Sequence, residues 1–106
     1  MYFKNIREFI LFVDGTIEEK SKFVKNYKNS YRGITIKYEV YTFHFGYTKF
    51  EIVCDKYKSQ THKKFTLIKN DVILRYFDIW EKIEEYFLST EKALLRKIKI
   101  KNILNG

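Results

Sequence analysis

Cys54 and His44 are the first residues to weigh, because a thiol beside an imidazole is the smallest nucleophile–base pair that this composition allows. Their spacing argues against it. Residues 31–54 alternate like strands around a turn at Phe45-Gly46-Tyr47-Thr48, and that register sets Cys54 opposite Glu39 on the apolar face while His44 points to the other. Cys54 therefore reads as a buried, inert thiol. His62 sits among lysines and reads as a surface residue. Two scattered histidines and one cysteine do not make a metal site. The four glycines form no phosphate loop. The acids of residues 71–88 lie mostly along one solvated stripe rather than facing each other as a catalytic pair. The inventory predicts a protein that is not an enzyme and holds no cofactor or metal.

The other chemistry on offer is charge. The chain carries a net +8, with 21 basic residues, and residues 31–70 hold much of it. Arg32, Lys37, Lys49, Lys56, Lys58, Lys63, Lys64 and Lys69 stand there against Glu39, Glu51 and Asp55. Tyr31, Tyr47 and Tyr57 are interleaved near the expected turns. Lysines attract phosphate by releasing condensed counterions, and exposed tyrosines stack on unpaired bases. The candidate nucleic-acid-binding set is therefore Arg32, Lys37, Lys49, Lys56, Tyr57, Lys58, Lys63 and Lys64, densest at Lys56-Tyr57-Lys58 and Lys63-Lys64. Its bland counterpart is a solvated loop between strands. Lys, Asn, Ile, Tyr and Phe, the enriched residues, share AT-rich codons, so genome base composition is a competing source of the lysine. Only four basic residues are arginine (Arg7, Arg32, Arg75 and Arg96), which weakens any expectation of bidentate base reading.

These residues need a scaffold, and the composition supplies one. With 106 residues, 45% of them hydrophobic and 19% aromatic, the chain has enough apolar surface for a core, and the expected organisation is one domain over 1–106 with a basic tail at 90–106 that could stand apart. The expected class is α+β, a small antiparallel sheet of three to four strands packed by helices at about 16–28 and 71–88. Thr16-Ile-Glu-Glu19 fits a capping box, which starts the first helix. The hairpin at about 34–54 follows, with Phe43 facing Phe50 and Tyr41 facing Ile52 on one side, and His44 facing Lys49 and Thr42 facing Glu51 on the other. Ile34, Ile36, Tyr38 and Val40 are out of phase with Tyr41, Phe43 and Phe45, so a bulge near Val40–Tyr41 is expected to return both sets to one face. A third strand at about 62–69 turns Phe65 and Leu67 inward. Asn70 or Asp71 then caps a helix striped by Ile73, Phe77, Trp80, Ile83 and Phe87.

Both ends are ambiguous. Residues 1–13 match helical spacing better than a short strand, with an end at Asp14-Gly15. The tail fits either a helix through Leu94, Leu95 and Ile98 or an edge strand at Lys97-Ile-Lys-Ile-Lys101. An edge at 62–69 or 97–103 could pair across a dimer axis, and the oligomeric state is open. The order of helix, three strands and helix over 16–88 resembles the layout of double-stranded-RNA-binding domains. That family opens its second helix with lysines where this chain has Asp71 and Asp78, so membership does not follow.

With one cysteine there is no internal disulfide, and the apolar run Phe9 to Val13 is too short for a signal peptide. The expected location is the cytoplasm, without a membrane partner. The functional expectation is a small basic binding protein contacting nucleic acid or a ribonucleoprotein. The alternative is a protein–protein inhibitor or adaptor of the phage or mobile-element type acting on host nucleic-acid machinery, such as an anti-CRISPR or anti-restriction protein.

Overall fold

The structure, a computed structural model, describes residues 2–25, 32–55 and 64–105, excluding the side chains of 102–105. Within these the chain runs α1 (Ile6–Phe12), β1 (Thr16–Val24), β2 (Ile34–Phe45), β3 (Thr48–Asp55), β4 (Phe65–Lys69), β5 (Val72–Phe77), α2 (Trp80–Thr90) and α3 (Lys92–Asn105). The five strands form one antiparallel meander in chain order. The class is α+β as expected, but the sheet described has five strands rather than three to four, because Thr16–Val24 and Val72–Phe77 are strands.

The central hairpin stands as its alternation predicts. Phe43 pairs with Phe50, Tyr41 with Ile52, His44 with Lys49, Thr42 with Glu51 and Glu39 with Cys54. Gly46 takes a φ of 62° at the first central position of the turn, where a side chain would be strained. In β4, Phe65 and Leu67 are buried, again as expected. The first helix is real too: the Asn5 side chain accepts from the Glu8 amide at 3.0 Å and caps α1. The chain then enters β1 through Gly15, where a Cβ would stand 2.7 Å from the Thr42 carbonyl oxygen.

Four expectations are overturned. The segment at 16–28 is a strand, not a helix, as far as the described residues reach. A capping box is a local preference of about 1 kcal/mol, and here it loses to a ladder from Thr16–Thr42 to Val24–Ile34. The double-stranded-RNA-binding layout goes with it. The residues at 71–88 are not one helix. Asn70 and Asp71 both have positive φ, 49° and 68°, so they form a hairpin turn rather than a cap. Val72–Phe77 returns along β4, and only Trp80 onward is helical. The apparent helical stripe is broken, since Ile73 is exposed while Phe77, Trp80, Ile83 and Phe87 are buried.

Third, β2 has no bulge at Val40–Tyr41, because its pairings with both neighbours run through without a shift. The shift in the sheet lies between β4 and β5, at Leu67/Ile68. Unbroken pairing keeps Ile34, Ile36, Tyr38 and Val40 on the face opposite Tyr41, Phe43 and Phe45. Consistent with this, Ile36 and Val40 are buried yet stand outside the main core cluster. Finally, neither proposed dimer edge is an edge strand. β4 is internal, the edges are β1 and β5, and the tail is helical with Leu94 and Ile98 in the core.

All three helices contribute to one core, against the face that carries Tyr41, Phe43, Phe50, Ile52 and Leu67. Its centre is aromatic. The Phe87 ring lies 5.1 Å from Phe50, 5.3 Å from Phe43 and 5.7 Å from Phe9. Two polar ties fasten the N-terminal segment to α2. A Glu84 carboxylate oxygen accepts from the Tyr2 and Phe3 amides, both at 2.8 Å, and the Trp80 indole N–H donates to the Phe3 carbonyl at 3.2 Å. Among the described residues no buried side-chain nitrogen or oxygen lacks a hydrogen-bond partner, as desolvation requires. Truncating the ring at the centre removes contacts to three elements together, so Phe87→Ala is expected to destabilise the fold by about 3–5 kcal/mol in urea unfolding. A loss below about 1 kcal/mol would show that the aromatic cluster is not the core's centre.

Candidate nucleic-acid interface

A partly buried ionic cluster joins α1 to the sheet. The Arg7 guanidinium donates to a Glu39 carboxylate oxygen at 2.7 Å, and the Tyr41 hydroxyl donates to that same oxygen at 2.8 Å. Cys54 lies opposite Glu39 in the ladder, and His44 is exposed on the other face beside Lys49. Among the described residues, no three His, Cys, Asp or Glu side chains gather as metal ligands would. Burial, most of all, pushes the Tyr41 phenol far above its ordinary value of 10.0. The hydrogen bond to Glu39 and that carboxylate's charge push the same way, and Arg7 opposes them.

The described members of the predicted basic set do not converge. Lys56, Tyr57, Lys58 and Lys63 lie outside the described residues. Of the rest, Arg32 is exposed just before β2 and Lys49 pairs with His44 near its far end, roughly 40 Å away at about 3.3 Å per strand residue. Lys37 stands on the helix-bearing face, 3.8 Å from Glu19. Lys49 stands on the opposite face and is shared between Glu51 at 3.5 Å and Asp71 at 3.7 Å. Lys64 rests its ammonium 5.5 Å from the Phe65 ring centre. Tyr47 is fully exposed at the turn beside Lys49. Two of the four described cations are thus already matched by carboxylates, and the four are divided between faces and ends of the sheet.

Among the described residues the densest run of positive charge is α3. It holds Lys92, Arg96, Lys97, Lys99 and Lys101 and no acidic residue. At 100° per residue, Leu94 and Ile98 point into the core, while Lys92, Arg96 and Lys99 line up on the far side. The remaining two cations turn toward α1. Lys97 lies 3.4 Å from Asp14 and 5.2 Å from the Phe12 ring centre, and Lys101 lies 4.8 Å from that ring. No ion pair joins Lys92, Arg96 or Lys99 to a carboxylate among the described residues. A groove of about 360 Å³ adjoins the helix, lined by Tyr2, Phe3, Leu11, Phe12 and Ile98, with Glu8 and Lys101 completing it.

This arrangement works against the helix itself. Lys92 lies at the positive end of the macrodipole, and the pairs Lys92/Arg96 and Lys97/Lys101 are like charges at i,i+4. Burial of Leu94 and Ile98 holds the helix in place despite the repulsion. The sequence signal was present, as cations at i, i+4 and i+7 opposite an apolar pair, but it was masked by the strand-like alternation of residues 97–101. Among the described residues no helix is long and apolar enough to cross a membrane. Compared with family models, with curated proteins and with solved structures, the chain matches none.

The Tyr41 shift has a measurable sign. The folded chain keeps a proton that the unfolded chain releases near pH 10, so this stabilisation is complete below that pH and is lost as pH rises above it. The urea midpoint is therefore expected to fall more steeply between about pH 9 and pH 11.5 in the wild-type chain than in Tyr41→Phe. Parallel pH profiles for the two would mean that Tyr41 ionises normally.

Proposed function

We propose that this chain is a non-enzymatic, cytoplasmic nucleic-acid-binding protein, acting as one domain over 1–106 and meeting phosphate through α3. One observation carries the proposal: five cations without an acid sit on one helix, three of them aligned outward, in an arrangement that weakens the helix unless a polyanion faces it. Local conflict of this kind concentrates where function demands it. Lysine-dominated contact suits phosphate attraction more than base reading, so recognition rests on charge and shape. The segment 56–63 offers a second set of cations for the same polyanion.

A protein-directed reading has its own support. The sheet face away from the helices carries the half-buried Val53 and Ile68 beside the exposed Ile73, and apolar surface of this sort suits a protein interface. On that reading the chain is an inhibitor or adaptor of the phage or mobile-element type, and its partner would stay bound at high salt.

Titrating labelled single- and double-stranded DNA and RNA across salt tests the first reading. Binding should weaken steeply with salt. The triple variant Lys92→Gln, Arg96→Gln, Lys99→Gln should bind at least tenfold more weakly, with a log–log salt slope shallower by about 2–3. Its thermal midpoint should hold or rise, because like charges have been removed. The quadruple variant Lys56→Gln, Lys58→Gln, Lys63→Gln, Lys64→Gln measures the other set. If it alone abolishes binding, the site lies there and not on α3. No binding of the wild-type chain at low salt overturns the proposal, and a stoichiometric, salt-stable protein partner would favour the second reading.

A further inference from the structure

Among the described residues, the first two strands run on past the rest of the sheet. The β2–β3 ladder ends at Tyr38–Asp55 and the β3–β4 ladder at Cys54–Phe65, while β1 and β2 stay paired from Ser21–Lys37 to Val24–Ile34. One face of this ribbon is closed, with Ile36 buried and Tyr38 half-buried. The other carries Ser21, Phe23, Thr35 and Lys37, all exposed, and α1 meets that face at the next residue inward, Glu39, through Arg7. Phe23 is 60% exposed, yet its ring is seated. It lies against the backbone at Gly33, where φ is 72° and a Cβ would stand 2.7 Å from the ring's Cζ. Charge around the ring has one sign. Residues 20–25 and 32–38 hold Lys20, Lys22, Lys25, Arg32 and Lys37 and no acid. Lys20 and Lys37 reach back to Glu18 and Glu19 at 3.9 and 3.8 Å, in exposed pairs that hold little energy. No ion pair joins Lys22, Lys25 or Arg32 to a carboxylate among the described residues.

We propose that this end of the ribbon binds single-stranded nucleic acid, with an unpaired base stacked on Phe23 and the neighbouring phosphates met by Lys25, Arg32 and Lys37. The proposal rests on the nucleic-acid reading and adds a second site to it. Lys97 of α3 touches Asp14, and Phe23 stands nine residues further along the chain, roughly 30 Å at 3.3 Å per strand residue. A seated ring with an open surface favours a single strand. A paired base is already stacked between its neighbours, whereas an unpaired one has a face to give, whatever its identity. Lys37 is the diagonal neighbour of Phe23 across the ladder, about 7–8 Å away, on the order of the span from a base to its adjoining phosphates. Four of the five cations are lysine, which suits this sequence-tolerant contact better than bidentate base reading.

A labelled single-stranded oligothymidylate and a labelled duplex of equal length test the site. Phe23→Ala is expected to weaken single-strand binding about tenfold or more and duplex binding less than about twofold. Its log–log salt slope should match that of the wild-type chain, because no charge is lost. Phe23→Trp should keep the affinity, and its indole fluorescence should be quenched by the single strand and not by the duplex. Equal losses for both probes in Phe23→Ala, no loss for either, or an unquenched indole overturns the proposal and leaves the α3 site standing. A protein partner released by Phe23→Ala, with single-strand binding intact, overturns it in favour of a protein interface. A wild-type chain that binds neither probe at low salt overturns this site and the nucleic-acid reading together.

Discussion

The four-ring contact among Phe9, Phe43, Phe50 and Phe87 is the constraint on which the rest of the molecule depends. Each ring comes from a different element (α1, β2, β3 and α2), and all four are buried. Stacked and edge-on contacts between rings add to the area they remove from water. Because the rings come from distant parts of the chain, the cluster closes only when the hairpin register is right. A one-residue slip of β3 against β2 would send Phe50 to the other face. The core and the sheet pairing therefore specify each other, and the helices take the one face that this agreement leaves apolar and deep.

Around that cluster the polar groups are arranged to hold the periphery in place. Glu84 and Trp80 on α2 fasten the backbone of Tyr2 and Phe3, and Arg7 on α1 reaches Glu39 on β2. The latter pair is more than a surface bridge, because Glu39 is almost buried and also accepts the Tyr41 hydroxyl. Removing either donor would leave a carboxylate poorly answered where water has little access. Both ties bring segments distant in sequence together.

Charge is distributed by the same logic. Cations on the sheet are partly offset by neighbours, as Lys37 is by Glu19 and Lys49 by Glu51 and Asp71. Cations on α3 have an outward row with no such partner among the described residues and an inward pair resting on Phe12. The helix is therefore anchored by hydrophobic burial and loaded with electrostatic repulsion. Five of the chain's 21 basic residues lie on α3, while β5 carries one charge, Arg75. A basic face and an apolar edge on one small scaffold leave different kinds of contact available at different sites.

The residues by themselves determined what depends on near neighbours. Alternation in period two and the glycine at 46 sufficed for the register of the central hairpin, the inward set of β4 and the separation of Cys54 from His44. Helical spacing with a stop at Asp14-Gly15 sufficed for α1. Tertiary structure decided where local preference and distant pairing disagree. Thr16-Ile-Glu-Glu19 reads as a helix start until Tyr41 and Val40 are available to pair with Ile17 and Glu18. Asn70-Asp71 reads as a cap until β4 lies ready to take Val72–Phe77 back along its edge. The candidate site followed the same division. Lysine counts along 31–70 were legible, but proximity in sequence is not proximity in space when a strand carries residues apart at about 3.3 Å per position. Only the burial of Leu94 and Ile98 could choose helix over strand for residues 92–105, and with that choice three cations came to lie on one face.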